Sequence, residues 1–461
     1  MEALPQNQTR RQMGLWAAMA VVTGEAISLG IFLTPAAMAR SLGSPALLAA
    51  VWCGMALLTL SGALCFTELA IRNPYDGGEY VYLRRGFGRR IAFLYGWMAA
   101  MVMYPGVSAA LAVGAVPYIQ ALLPIPAKLT STLPALILLA LGAVNYLGTR
   151  LSSGLMTILN WLKVPVLAAL IVWALFSGHA HWNNIAPLTL RRTGSDPLFE
   201  GIAGATISAF FCFGGWWEAG KIAGEVRNPS RNLPVAFSGG VLIVTAIYLL
   251  LSLAFVAVVP LQQIQSNTAF VALFGQALFG SAGGRVLATC VVLCVLGGLM
   301  VMSMAVPRVT YALARAEAGD ASRSPLAAFS QLHPRFGTPA NAIILQTGMA
   351  LLILTLGAFD RILAFIIFSA VVFLALTAAT LFRTITPVQR WWYPFAPIAF
   401  IAGSGVLAIM LLLHNPGSAL LGAGVVLCGL PVRWLLTRRP AEEQSAGPSR
   451  PTDDELPLPD L

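Results

Sequence analysis

Twelve apolar stretches, each near the roughly 20 residues that a bilayer-crossing helix needs, follow one another along this chain with short polar joints between them. They lie near residues 13–39, 44–71, 91–122, 132–148, 153–177, 199–224, 235–259, 286–317, 339–357, 361–383, 393–413 and 417–437. So many spans leave no room for a sizeable soluble domain. Of the 461 residues, 58% are hydrophobic and 10% are charged, against roughly 25% charged in soluble proteins. The expected fold class is therefore an all-α integral membrane protein with twelve transmembrane helices.

The net charge of +10 is scattered between the spans, whereas a nucleic-acid partner would call for a basic cluster on one face. Basic residues near span ends stay in the cytoplasm. Of the 28 Lys and Arg, 21 fall on the side that holds both termini, six on the other, and Lys163 lies inside a span. Both termini are expected in the cytoplasm and the protein in the plasma membrane. The six cysteines all sit in apolar stretches, where a free thiol behaves as a small hydrophobe, so no loop disulfide framework is expected. The first apolar run continues into a full span, and insertion through the chain's own helices is expected without a cleaved signal peptide. Residues 1–12 read as a cytoplasmic N-terminus. Residues 440–461, rich in Pro, Ser and acids, read as a disordered cytoplasmic tail. Between spans two and three, Asn73–Arg90 has a turn at Asp76-Gly77-Gly78 followed by interleaved aromatic and basic residues. This suits a short amphipathic segment at the inner interface, or simply a basic loop near the headgroups.

Two spans carry interruptions. The first contains Gly24, Glu25, Ser28, Gly30 and Pro35, and the sixth has Gly214-Gly215 at its centre flanked by aromatics. A membrane helix rarely tolerates so many weak helix formers together with a carboxylate. Breaks at corresponding places in two halves point to an inverted-repeat transporter with its substrate site at the bilayer midplane. The plainer alternative is two helices packed closely through small residues.

The residues at these breaks resemble a known group. Gly24-Glu25-Ala26-Ile27-Ser28-Leu29-Gly30-Ile31-Phe32 with Pro35 is similar to the first-helix signature of the amino acid/polyamine/organocation superfamily. Phe211-Cys212-Phe213-Gly214-Gly215-Trp216, followed by Gly224-Glu225-Val226-Arg227-Asn228-Pro229-Ser230-Arg231-Asn232-Leu233-Pro234, resembles the sixth helix and next loop of the L-amino acid transporter family. Glu68, the run Pro74 to Tyr80, and Pro307-Arg308-Val309 extend the resemblance from about Gly14 to Arg438. It implies a LeuT-type fold: a first inverted five-helix repeat over 13–177, a second over 199–383, and two further helices over 393–437.

The resemblance also implies a site. A zwitterionic substrate needs unpaired N–H groups for its carboxylate and carbonyls for its ammonium, and a broken helix offers both. The N–H groups around Ser28, Leu29 and Gly30 are expected to hold the carboxylate. The carbonyls of Ala26, Phe211 and Gly214 are expected to hold the ammonium, with Ile27, Cys212, Phe213 and Met300 lining the pocket. The chain departs from the family pattern at Leu29, bulky where a small residue is usual, at Glu25, and at Met300, which stands where Asn is frequent. Phe213 and Trp216 read equally as lining groups or as core aromatics.

Lys163 lies deep in span five, where a lysine costs roughly 2.5–3.5 kcal/mol to insert. The family implies that it stands in for the sodium ion of sodium-coupled relatives; structural pairing with Glu25 is the alternative. Glu25 itself reads as a proton carrier, a partner for a substrate ammonium, or a bystander. Glu218 and Lys221 are spaced to pair across one turn. Four scattered histidines offer no zinc motif, and no nucleophile-and-base constellation stands out within the spans. No catalytic residue, metal or cofactor is expected, and the expected partners are an amino acid and membrane lipid. Leu122–Thr130 holds no cysteine, so no disulfide-linked accessory subunit is expected. The leading reading is a sodium-independent exchanger of neutral L-amino acids. Proton-coupled uptake, extending to cationic substrates, is the alternative, and a non-transporting receptor or channel stands behind both.

Overall fold

The computed structural model describes residues 11, 13–28, 30–75, 77–266, 270–318, 325–356, 359–383, 390, 392–414 and 416–437. Most of the expected termini, 1–12 and 440–461, lies outside them. The described residues form helices and no strand, with one isolated bridge pairing Met13 and Val226. The helices are α1 (Leu15–Ala26), α2 (Gly30–Leu42), α3 (Pro45–Arg72), α4 (Glu79–Phe87), α5 (Arg89–Met98), α6 (Tyr104–Leu122), α7 (Ala127–Thr130), α8 (Leu133–Tyr146), α9 (Thr149–Phe176), α10 (Leu198–Phe213), α11 (Pro229–Val258), α12 (Leu261–Ser266), α13 (Phe270–Phe279), α14 (Gly283–Ala318), α15 (Ala340–Leu356), α16 (Phe359–Ala379), α17 (Phe395–His414) and α18 (Pro416–Thr437). Among the described residues, seven apolar helical segments are long enough to cross a bilayer, and five shorter ones occupy other apolar stretches of the sequence.

Both interruptions are breaks in the helix itself. The first span divides into α1 and α2, and the sixth into α10 and a 3-10 helix, Trp216–Glu225. Gly215 sits at the second break in the left-handed region, φ +94°, a conformation that glycine adopts without steric cost. Span three stays continuous through one π-helical turn, Ala99–Met103, between α5 and α6. The chain between spans seven and eight, which the apolar pattern left unassigned, forms the two short helices α12 and α13.

The broken spans sit inside the bundle. α1 packs against α11, α9, α14 and the 3-10 helix, while α2 packs against α10. At one end of the bundle, Met13 N–H donates to the Glu225 carbonyl (2.9 Å), and Arg227 N–H donates to that of Met13 (2.8 Å). Arg308 pairs with Glu225 at 2.8 Å, and Arg72 and Arg390 pair with Glu68 at 2.7 and 3.3 Å. The other end is closed by the segment after α9: Ser44 Oγ donates to the Leu188 carbonyl at 2.8 Å and Arg191 Nε to that of Leu42 at 3.0 Å.

The Asn73–Arg90 segment contains a short helix, in keeping with the amphipathic reading and not with the alternative of a plain basic loop. Its helix α4 buries Glu79, Tyr80, Tyr82 and Leu83 within the protein, because its apolar face has the bundle to pack on. Asp76 lies outside the described residues.

Glycines set how closely the helices approach. A Cβ at Gly62 on α3 would fall 2.5 Å from Phe400 Cε2 and 2.7 Å from Trp216 Cη2, whereas one at Gly54 on the same helix meets nothing within 4 Å. Gly62→Leu is therefore expected to destabilise the protein by about 1–3 kcal/mol through overpacking, while Gly54→Leu leaves it unchanged. Thermal unfolding of the two variants in the same detergent measures the difference.

Candidate functional site

The last hydrogen bond of α1 runs from Ile27 N–H to the Thr23 carbonyl, 3.0 Å. Beyond it the helix leaves carbonyls with no partner of their own, and in a membrane interior each such group costs free energy unless something donates to it. Lys163 on α9 supplies two of these bonds. Its ammonium donates to the Gly24 carbonyl and, at 2.8 Å, to that of Ile27, and the residue is 0% exposed. The Ala26 carbonyl accepts from Ser28 N–H at 2.9 Å and also faces the Tyr248 hydroxyl of α11.

Tyr248 joins the two breaks. Its hydroxyl also lies 2.7 Å from the Cys212 carbonyl at the end of α10, so its single proton serves the two carbonyls in turn. Nearby, Gly30 opens α2 directly against α10: a Cβ there would stand 3.0 Å from Cys212 Sγ and 3.3 Å from Cys212 Cα. Thr34 Oγ1 lies 2.9 Å from the same sulfur.

Three further glycines let α1, α9 and α14 converge. A Cβ at Gly24 would meet Asn160 Nδ2 at 2.6 Å. At Gly297 it would meet Asn160 Oδ1 at 2.8 Å and Lys163 Nζ at 3.1 Å, and at Gly298 Ser28 Oγ at 2.7 Å. Asn160 and Lys163 thus enter the seam between α1 and α14 from one face of α9.

At the second break, Gly214 N–H donates to the Phe211 carbonyl at 3.2 Å. The Phe213 ring is 6.0 Å from Trp52 and 5.3 Å from Tyr248, and Trp216 packs on Phe66 at 5.0 Å. Both of these sequence-selected aromatics are buried.

Of the expected site residues, Ala26, Ile27, Ser28, Gly30, Phe211, Cys212, Phe213 and Gly214 come together around the two breaks. Leu29 and the side chain of Glu25 lie outside what the structure describes. Met300 is buried on α14, in the same turn as Gly297, Gly298 and Val301, which meet α1 and α9. The Ala26 and Phe211 carbonyls both accept internal bonds here, so a substrate ammonium would share or displace them. Sequence reasoning missed Tyr248, Asn160 and Trp52. Asn160 was legible as a second polar group one turn from Lys163 on the same helix face. Tyr248 carried no comparable signal, standing among Ile, Leu and Val residues.

Residues 13–426 match the family model described as "Amino acid permease". The Serine/threonine exchanger SteT of Bacillus subtilis (strain 168) is 28% identical over 447 residues, covering 94% of this chain and 99% of its own. The mouse Large neutral amino acids transporter small subunit 2 is 27% identical over 443 residues, covering 92% and 81%. The mouse Asc-type amino acid transporter 1 is 25% identical over 444 residues, with the same coverage. The match runs through both broken helices and the elements that cap them, and the chain belongs to the amino acid permease family as a multi-pass membrane transporter of amino acids, not an enzyme.

Proposed function

We propose that the protein is a sodium-independent exchanger of neutral L-amino acids that works by alternating access across the plasma membrane, with both termini in the cytoplasm. The observation that carries this reading is the Lys163 ammonium on the Gly24 and Ile27 carbonyls. Carbonyls at the C-terminal end of a half-helix are a natural cation site, and a covalently attached cation already occupies this one. Transport then needs no sodium ion to hold α1 in place.

The surroundings favour neutral side chains, because Trp52, Phe213 and Val301 around the breaks are apolar and buried. Backbone groups of Ser28, Leu29 and Gly30 bind the substrate carboxylate, and carbonyls of Ala26, Phe211 and Gly214 bind its ammonium. In this reading residues 13–177 and 199–383 are two inverted repeats that rock against each other, with 393–437 as an added helix pair. The names of the relatives agree, one being a serine/threonine exchanger and another a large neutral amino acid transporter. The latter is named a small subunit. Without a cysteine in Leu122–Thr130, this chain functions without a disulfide-linked accessory subunit.

In proteoliposomes, uptake of labelled serine, threonine, alanine or leucine is expected to be saturable, stereoselective, unchanged when choline replaces sodium, and accelerated by unlabelled substrate inside. A strict sodium requirement overturns the reading of Lys163, and failure of internal substrate to accelerate uptake favours proton-coupled uptake instead.

Lys163→Ala leaves two carbonyls without a donor at about 1–3 kcal/mol each and frees α1 from α9. Exchange is expected to fall at least about tenfold while the protein still inserts and purifies as a monodisperse species. Wild-type rates in this variant would assign Lys163 a purely structural place.

A further inference from the structure

The second half of the sixth span carries charges that the two breaks do not use. Lys221 and Glu218 pair across one turn of the 3-10 helix, both 0% exposed. Glu79, in the first turn of α4 and 1% exposed, joins them with Oε1 at 3.5 Å from Lys221 Nζ. The Tyr104 hydroxyl of α6 donates to Glu218 Oε1 at 2.8 Å and accepts from Lys221 and, at 3.3 Å, from Trp217 Nε1. Glu218 Oε2 is buried and accepts no hydrogen bond among the described residues.

The turn before α4 closes over this cluster. Gly77 N–H donates to the Lys221 carbonyl at 3.1 Å, and a Cβ at Gly78, φ +51°, would fall 2.8 Å from Lys221 Cγ. Two carboxylates therefore share one ammonium in a space closed to water. Fully ionised, the cluster carries one uncompensated negative charge, a state that burial strongly disfavours.

Among the described residues, the titratable groups around Glu79 are Lys221 and Glu218 from the 3-10 helix, Tyr95 from α5, Tyr104 from α6, and Tyr82 on α4 itself. From α14, Arg308 is taken by Glu225; from α16, Phe373 lies 5.6 Å from Tyr95. No second cation is brought to the cluster by these contacts.

We propose that Glu79, packed beside Glu218 and Lys221, is a proton-binding site, and that a proton on its carboxyl group holds the α4 turn closed on the 3-10 helix. Hydronium gives its proton to a carboxylate oxygen and leaves as water, and no other bond changes. The cluster then carries no net charge. When the turn lifts and water enters, the carboxyl regains its ordinary acidity and releases the proton. Acid therefore favours the closed junction. In support, burial pushes the Glu79 carboxyl above the usual carboxylate range; Lys221 pulls it down and Glu218 pushes it further up.

The site is separate from the Lys163 anchor, and its test needs no substrate, so its failure and that of the exchange reading are distinguishable. A carboxyl whose native pKa is raised makes the folded protein lose stability as pH rises through that pKa. The unmodified protein should therefore lose unfolding temperature relative to Glu79→Gln, and likewise relative to Glu218→Gln, between about pH 5.5 and 8.5. The gap is expected to widen by about 3 °C. A gap that stays constant with pH in both variants overturns the proposal. Should neither variant fold, the unmodified protein decides: an infrared carbonyl band of a protonated carboxyl persists at about pH 6 if the proton is held, and its absence overturns the site.

Discussion

A helix that stops in the middle of a membrane leaves backbone carbonyls where no water can reach them, and the whole centre of this protein is arranged around donors for one such end. At the end of α1, the Gly24 and Ile27 carbonyls take Lys163, and the Ala26 carbonyl takes Ser28 N–H and faces Tyr248. Inserting a lysine at a helix centre costs roughly 2.5–3.5 kcal/mol. Two stranded carbonyls cost about 1–3 kcal/mol each, so the two penalties offset when the groups meet. That balance explains why a break and a buried ammonium occur together, since each is costly without the other.

Meeting requires close approach, and this accounts for where the small residues lie. Gly24, Gly297 and Gly298 leave space that Asn160, Lys163 and Ser28 fill. Any side chain at the three glycines would force α1, α9 and α14 apart and lift the donors from their carbonyls. Tyr248 performs the same task between the breaks: one hydroxyl within reach of the carbonyls of Ala26 and Cys212 links the end of α1 to that of α10. In the proposed exchange, an amino acid ammonium competing for these acceptors acts on both broken helices at once, which is the coupling that alternating access requires.

The charged groups follow a related logic. Ionisable side chains gather where helical regularity fails or at the ends of the bundle. Lys163 lies at the first break, and Glu218 and Lys221 lie in the 3-10 helix after the second. Glu68, Glu225 and Glu317 take arginines at their ends of the helices. Among the described ion pairs the Glu79, Glu218 and Lys221 cluster is the most deeply buried, so a change in charge there costs the most.

The sequence by itself determined that the chain is a helical membrane protein, because apolar length is a property of consecutive residues. It located both breaks, because glycine and proline act on the local backbone, and it marked Lys163, because a lysine in an apolar run stands out without any neighbour being known. It also grouped the residues flanking the breaks. The tertiary structure alone decided what caps them. Tyr248 is an ordinary residue of span seven until α11 carries its hydroxyl to two carbonyls 222 and 36 positions away. Glu79 is part of a basic amphipathic segment until the Gly77-Gly78 turn folds it onto Lys221. A hydrogen-bond donor or a counter-charge is defined by what it reaches, and in a bundle of long helices the reaching groups come from spans far apart in the chain.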